Sequence, residues 1–186
     1  MVADRAVDLG LARQTPRIRE LGLDRLAQEA QLGGLAPAEL AAALRLPSPG
    51  THLLLAAERR IARPASTQEM IIGDGAAGVA VGHGAVLATH VASVTRHADF
   101  VDHFREAGHD HDYGWEERWV RDEGYLKLGV DALRQCLAAG GVTAADVAHF
   151  VMPAPLAKVN EAVARKLSIA PAAVVATGHE SGGDLG

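Results

Sequence analysis

Apolar residues recur along this chain with two different periods, which predict both strands and helices. Leu53 to Ala57 is a short, continuous apolar run bounded by turn residues, as expected of a strand buried on both faces. A second group of apolar residues is spaced i, i+4, i+7 and i+11, as on one face of a helix. These are Leu126, Val130, Leu133 and Leu137.

The later part of the chain also combines short apolar runs with a segment of helical spacing. Residues 149–152 and 174–176 are brief apolar runs typical of strands, and a helix marked by Val159, Val163 and Leu167 lies between them. Helices that alternate with short apolar strands predict an α/β fold with a largely buried sheet.

The first fifty residues have a different, helical character. Thr15-Pro16 is typical of a capped helix start, and Gly33-Gly34 ends that helix. A second, alanine-rich helix is predicted from Pro37 to Leu46. We therefore expect two regions, an atypical helical segment over 1–50 and the main domain over 51–186.

A glycine-rich stretch from Met70 to Gly82 connects two apolar runs. Its spacing G-x-G-x-x-G also matches the dinucleotide-binding fingerprint, which requires a helix to follow. β-Branched residues and further glycines follow instead, so a nicotinamide fold is disfavoured. The stretch predicts a tight turn formed by Gly73, Asp74 and Gly75, with the Asp74 carboxylate holding it through hydrogen bonds.

Composition narrows the possible function classes. The net charge of -5, without a dense Lys/Arg run, gives no electrostatic footprint for nucleic acid. The one cysteine, Cys136, excludes an internal disulfide, and no apolar run reaches the roughly 20 residues of a membrane span. The start of the sequence lacks the apolar core of a signal peptide. We expect a cytoplasmic protein that acts on neither nucleic acid nor membrane.

Two polar stretches are candidate sites of a different kind. His109 and His111 would point the same way on a strand, but zinc sites need three or four protein ligands. A solvated loop is therefore favoured, and no metal is expected. Trp115 and Trp119 could stack on an adenine or a partner, but covering the core is the favoured interpretation.

The order of motifs from the strand at Leu53 through Gly73-Asp74-Gly75 resembles the thiolase superfamily, in its branch of beta-ketoacyl-ACP synthase III and hydroxymethylglutaryl-CoA synthase. The helix over 125–137, the segment 143–166 and the glycine-rich loop 181–186 follow in the family's order. The resemblance implies a layered, thiolase-like α/β fold, of which this chain supplies the end of the first repeat and much of the second.

The same resemblance implies Claisen-type condensation of acyl-CoA or acyl-carrier-protein thioesters, with a cysteine nucleophile and no cofactor. This chain departs from that pattern. Leu32 lies near the expected nucleophile position, and Cys136 fits the apolar face of a helix as core filler. Pro153 occupies the expected histidine position, and His149 is about 13 Å away along an extended chain.

Two residues match the family's functional positions more closely. Asp184 lies at the asparagine position as a candidate acid-base group. Lys158 matches a cation that faces the phosphates of CoA or the carrier protein, although a solvated lysine at a helix end is equally consistent.

We therefore expect a fragment or divergent truncated member of the acyltransferase family that is inactive as this chain alone. The alternative is a non-catalytic subunit that binds acyl-CoA or has a structural role in a condensing-enzyme complex. Either a homodimer or a partner subunit is expected, because an incomplete sheet leaves strand edges open.

Overall fold

The computed structural model describes residues 6–8, 50–85, 87–176 and 178–184. These residues form two compact units. The described residues of the first unit lie within 1–59 and 74–91, and those of the second lie within 60–73 and 92–184.

The first unit contains a four-stranded sheet. Its strands are β1 (Ala6–Asp8), β2 (His52–Glu58), β3 (Gly75–Gly82) and β4 (Ala88–Thr89), in the order β2-β3-β1-β4. β2 and β3 pair antiparallel, with His52 opposite Val81 and Glu58 opposite Gly75. Val81 is buried, and Leu54 and Val79 pack against it.

The strand predicted at Leu53 to Ala57 is present, but burial on both faces was a wrong prediction. Leu53 is 64% exposed and Leu55 is 43% exposed, whereas Leu54 packs inward. Alternate residues of a strand point to opposite faces, and among the described residues the face that carries Leu53 and Leu55 is not covered.

The glycine-rich stretch is strand β3 from Gly75 onward, and residues 73–74 before it form no turn. Gly78 lies opposite Leu55, where an added Cβ would be 3.2 Å from Leu55 Cδ2, so the small residue makes room for the leucine. The Asp74 side chain is exposed and makes no hydrogen bond within the described residues. The part of the chain that the structure describes gives no support to the role assigned to Asp74 in holding a turn, which stays a prediction. β3 and β4 do not pair with each other, because each pairs with β1.

The second unit is mainly helical. Helix α1 (Glu117–Trp119) continues as a π-helix (Val120–Gly129) and then as α2 (Val130–Gly140), and α3 (Val159–Lys166) and the short α4 (His179–Gly182) follow. Three 3-10 turns span Thr67–Met70, Ala144–Asp146 and Pro171–Ala173. A small antiparallel hairpin joins β5 (His103–Phe104) and β6 (Tyr113–Gly114).

The two periodic helices predicted in this unit are confirmed. Val130, Val159 and Val163 are at most 2% exposed and belong to one core cluster. Leu126 and Leu133 pack against that cluster from the same helical face. The apolar spacing therefore identified the residues that bring α2 and α3 together.

The two short strands predicted around α3 are reduced to a single parallel bridge. Phe150 pairs with Val174, with hydrogen bonds from Phe150 N–H to the Ala173 carbonyl and from Val175 N–H to the Phe150 carbonyl. The Pro171–Ala173 turn comes directly before Val174, and Pro153 follows on the other side, so neither segment extends its ladder.

The predicted N-terminal helices, 15–33 and 37–46, lie outside the described residues. The described part of the 1–50 segment before Gly50 is strand β1, which the sequence pattern did not predict. None of the helices in the described ranges is long and apolar enough to cross a membrane.

Candidate functional site

Three segments that are distant in sequence meet at the guanidinium of Arg60 in the second unit. Arg60 Nε donates to Asp112 Oδ2 at 3.2 Å, and Nη1 donates to Asp184 Oδ2 at 3.0 Å. Arg105 Nε donates to the other oxygen of Asp112 at 2.7 Å. The side chains of Arg60, Asp112 and Asp184 are 12%, 5% and 15% exposed, so these ion pairs are largely removed from water. We call these four residues the charge cluster.

Backbone hydrogen bonds hold the segments that carry the charge cluster. Asp184 N–H donates to the Ile71 carbonyl at 2.6 Å, and Gly73 N–H donates to the Asp184 carbonyl at 2.8 Å. Asp112 N–H donates at 2.8 Å to the carbonyl of Ile61, which is the residue that follows Arg60 in the chain. Both carboxylates are thus fixed by their own backbone as well as by Arg60.

The cations decide the protonation of Asp112. Burial raises the pKa of its carboxyl, but the hydrogen bonds from Arg105 and Arg60 outweigh burial and hold that pKa below its usual value of 3.8. Burial also raises the pKa of Tyr125, and the charges of Asp102 and Asp184 add to the effect. The phenol of Tyr125 therefore holds its proton more firmly than that of an exposed tyrosine.

An ion pair at the start of the β5–β6 hairpin is influenced by residues of the charge cluster. The Asp102 carboxylate is 2.8 Å from His103 Nδ1, and this contact raises the pKa of His103 although burial lowers it. The charges of Arg60 and Asp112 also act on His103. Both side chains of this pair are about half exposed.

Aromatic rings cover this hairpin and the start of the helix. Phe104 stacks on Tyr113 at 5.5 Å and meets Trp115 edge-on at 6.1 Å, and Trp119 stacks on Phe100 at 5.9 Å. Trp115 and Trp119 nevertheless remain 53% and 45% exposed. The interpretation of these tryptophans as core cover holds only in part, because each ring keeps one side in solvent.

The structure gives different environments to the two site residues that the sequence suggested. Asp184 belongs to the charge cluster, whereas Lys158 is exposed at the start of α3, in a left-handed conformation with φ 63°. Whether either has the suggested role stays a prediction. His149 and Pro153 are exposed, and the position of Leu32 lies outside the described residues.

Cys136 is partly buried on α2, and its thiol donates to the Ala92 carbonyl at 3.7 Å. This placement agrees with its interpretation as a packing residue.

The histidine-rich stretch divides into exposed and buried residues. His109 and Asp110 are exposed, whereas Asp112 is in the charge cluster. His111 Nδ1 is buried and has no hydrogen-bond partner among the residues that the structure describes. Within the ranges that the structure describes, no three His, Cys, Asp or Glu side chains are arranged to hold a metal ion.

Sequence reasoning missed the arginines of the charge cluster and the buried Asn160. The Asn160 amide donates to the Met152 carbonyl at 2.8 Å and so ties the 152–158 loop to α3. The polar residue Asn160 lies between the apolar residues Val159 and Val163, and this was the available signal. No comparable signal in sequence links Arg60 to partners 52 and 124 residues away.

Comparison with known proteins supports the fold. Neither a profile of a known family nor a curated protein matches this chain. Among solved structures, the chain is similar to 3-oxoacyl-(acyl carrier protein) synthase III, FabH, from Pseudomonas aeruginosa PAO1, with a TM-score of 0.58 and 22% sequence identity. The match covers 72% of this chain and 44% of that chain. This protein therefore has a partial thiolase-like α/β fold, spanning less than half the length of that synthase.

Proposed function

We propose that this chain binds acyl-CoA or acyl-carrier-protein thioesters as a protein of the acyltransferase group of condensing enzymes, and that it does not transfer the acyl group by itself. The observation that carries the proposal is the likeness of its fold to a 3-oxoacyl-(acyl carrier protein) synthase III over 72% of this chain.

The position of Lys158 supports the binding half of the proposal. Its side chain is exposed at the start of α3, where the family resemblance expects a cation that faces phosphates. A solvent-facing ammonium can pair with the phosphates of CoA without first breaking an internal ion pair.

The residues at the expected catalytic positions support the second half. Pro153 offers no side-chain donor at the position where the resemblance expects histidine. Asp184 already accepts a hydrogen bond from Arg60, so one of its carboxylate oxygens is engaged in an internal ion pair. The Cys136 thiol lies against the Ala92 carbonyl on a helix face.

The binding proposal is tested by calorimetric titration of coenzyme A into the wild type and the Lys158→Gln variant. We expect saturable binding that weakens about fivefold in the variant, as is typical of an exposed ion pair. Lys166→Gln is the matched control, because Lys166 is also exposed but lies in the last turn of the same helix. No binding by the wild type, or equal losses in the two variants, would contradict the proposal.

Acyl transfer is tested separately by intact-protein mass spectrometry after incubation with acetyl-CoA. We expect no covalent acetyl adduct on the wild type. The competing function is a complete acyltransferase with a cysteine nucleophile. It predicts an adduct that disappears in Cys136→Ser, since the chain contains one cysteine.

A further inference from the structure

We propose that Arg60 is a positioning residue, whose guanidinium fixes the segment 178–184 against residues 71–73. This segment carries Asp184, the candidate acid-base group. The functional half of this inference rests on the function proposed above, whereas its structural half can be tested without any ligand.

The segment 178–184 is closed by hydrogen bonds within residues 178–183, such as that from Ser181 Oγ to the Gly178 carbonyl, but it is too short to be stable by itself. Its helix α4 is only four residues long, and isolated helices of that length are not stable. Gly182 ends this helix and Gly183 follows it, and glycine loses more backbone freedom on folding than any other residue. Contacts from outside the segment must therefore determine where Asp184 lies.

Arg60 supplies such a contact from an anchored position. Asp112 is the first carboxylate that Arg60 binds. It is held by its ion pair with Arg105 and by the hydrogen bond from its own N–H to the Ile61 carbonyl. With Nε on Asp112, the planar guanidinium presents Nη1 to Asp184 at 3.0 Å. The Arg60 guanidinium thus links the anchored carboxylate of Asp112 to the carboxylate of Asp184.

The Asp184 backbone shows what this contact maintains. Its N–H and C=O form the two hydrogen bonds of a parallel bridge with Ile72, through the Ile71 carbonyl and Gly73 N–H. If the ion pair with Arg60 holds the segment, its loss should open this bridge while leaving the distant core of α3 closed.

Amide hydrogen exchange followed by NMR tests the inference. The variants are Arg60→Met, which removes the charge, and Arg60→Lys, which keeps the charge but cannot bind both carboxylates with a planar fork. In both we expect the Gly73 and Asp184 amides to exchange at least tenfold faster than in the wild type, with Val163 as the internal reference. Arg105→Met is the matched control, because it removes a partner of Asp112 and leaves the Arg60–Asp184 pair. We expect less than a threefold change in Arg105→Met.

Unchanged exchange in both Arg60 variants, or equal acceleration in Arg105→Met, would overturn the inference. Titration of coenzyme A into Arg60→Lys tests the functional half of the inference separately from its structural half. Weaker binding at an unchanged melting temperature supports the functional half, whereas wild-type affinity contradicts that half and leaves the structural half to the exchange measurement. If the wild type itself fails to bind coenzyme A, the proposed function fails, but the exchange result still decides the role of Arg60.

Discussion

Gly183 is a residue whose replacement the structure tolerates poorly. Its backbone has φ 75° and ψ -176°, a region that is essentially restricted to glycine. An added Cβ would lie 2.9 Å from Gly73 N and 3.0 Å from the Ile71 carbonyl oxygen. Because both are backbone atoms, no side-chain rotation can relieve the contact.

We therefore expect Gly183→Ala to lower the free energy of unfolding by about 3 kcal/mol, measured by urea denaturation. Gly178→Ala is the control, since Gly178 also has positive φ, at 74°, but no described heavy atom within 4 Å of an added Cβ. It should cost about 1 kcal/mol from backbone strain alone. Equal losses in the two variants would refute the close approach between 183 and 73.

Asp112 makes stability depend on pH in a defined direction. Because its folded-state pKa is below 3.8, its contribution is present above the unfolded-state pKa and is lost as the pH falls through the folded-state value. Asp112→Asn should cost about 3 kcal/mol near neutral pH, since it leaves two arginines beside a neutral amide. The difference from wild type should narrow when urea denaturation is repeated below pH 4.

The control for this pH dependence is Asp110→Asn, which neutralises an exposed carboxylate two residues earlier. It should change stability by less than about 0.5 kcal/mol at either pH. A constant difference between wild type and Asp112→Asn across the pH range would contradict the assignment to this carboxylate.

At the scale of elements, the end of α3 carries strain that one substitution should relieve. Ser168 has φ 61°, and the hydrogen bonds from Ser168 N–H to the Arg165 carbonyl and from Ile169 N–H to the Ala164 carbonyl form a Schellman motif. The left-handed position of this motif favours glycine. Ser168→Gly should raise the free energy of unfolding by about 1 kcal/mol.

The end of α2 provides the reverse experiment. Gly141 has φ 64°, with its N–H bound to the Ala138 carbonyl and Val142 N–H bound to the Leu137 carbonyl. Gly141→Ala should lower the free energy of unfolding by about 1 kcal/mol in the same urea assay. Stability changes of the same sign in the two variants would contradict this account of the helix ends.

The helices could be predicted from sequence because the residues that each helix buries recur at helical spacing within its own segment. Val130, Val159 and Val163 have helical spacing, and all three are buried. The glycine-rich stretch is different, because small residues suit a turn and also suit a strand that makes room for a neighbouring leucine. Only pairing with β2, which the local sequence does not encode, decides between them.

The candidate site could not be predicted from local sequence either, because its residues are far apart in the chain. The resemblance to a family led to Asp184, but no periodic pattern connects that residue to an arginine 124 positions earlier. Folding brings the two together, and burial then makes the pair favourable only if the remaining charges are also matched. The Arg105–Asp112 contact provides that match and was equally invisible in the sequence.

At the scale of the whole molecule, β2 is the feature that favours self-association. It is the outer strand in the order β2-β3-β1-β4 and has one neighbouring strand within the described residues. Leu53 and Leu55 are exposed on one face of this strand. An apolar edge strand with free backbone donors and acceptors is a template for pairing with another chain.

We therefore expect a homodimer of about twice 19.4 kDa at micromolar concentration, measured by size-exclusion chromatography with light scattering. Leu53→Lys should shift the protein toward the monomer, because a charge on an edge strand opposes strand pairing. Met70→Lys is the control, since Met70 is 85% exposed but lies in the Thr67–Met70 turn. A monomeric wild type, or dissociation by both substitutions alike, would show that β2 is not the contact.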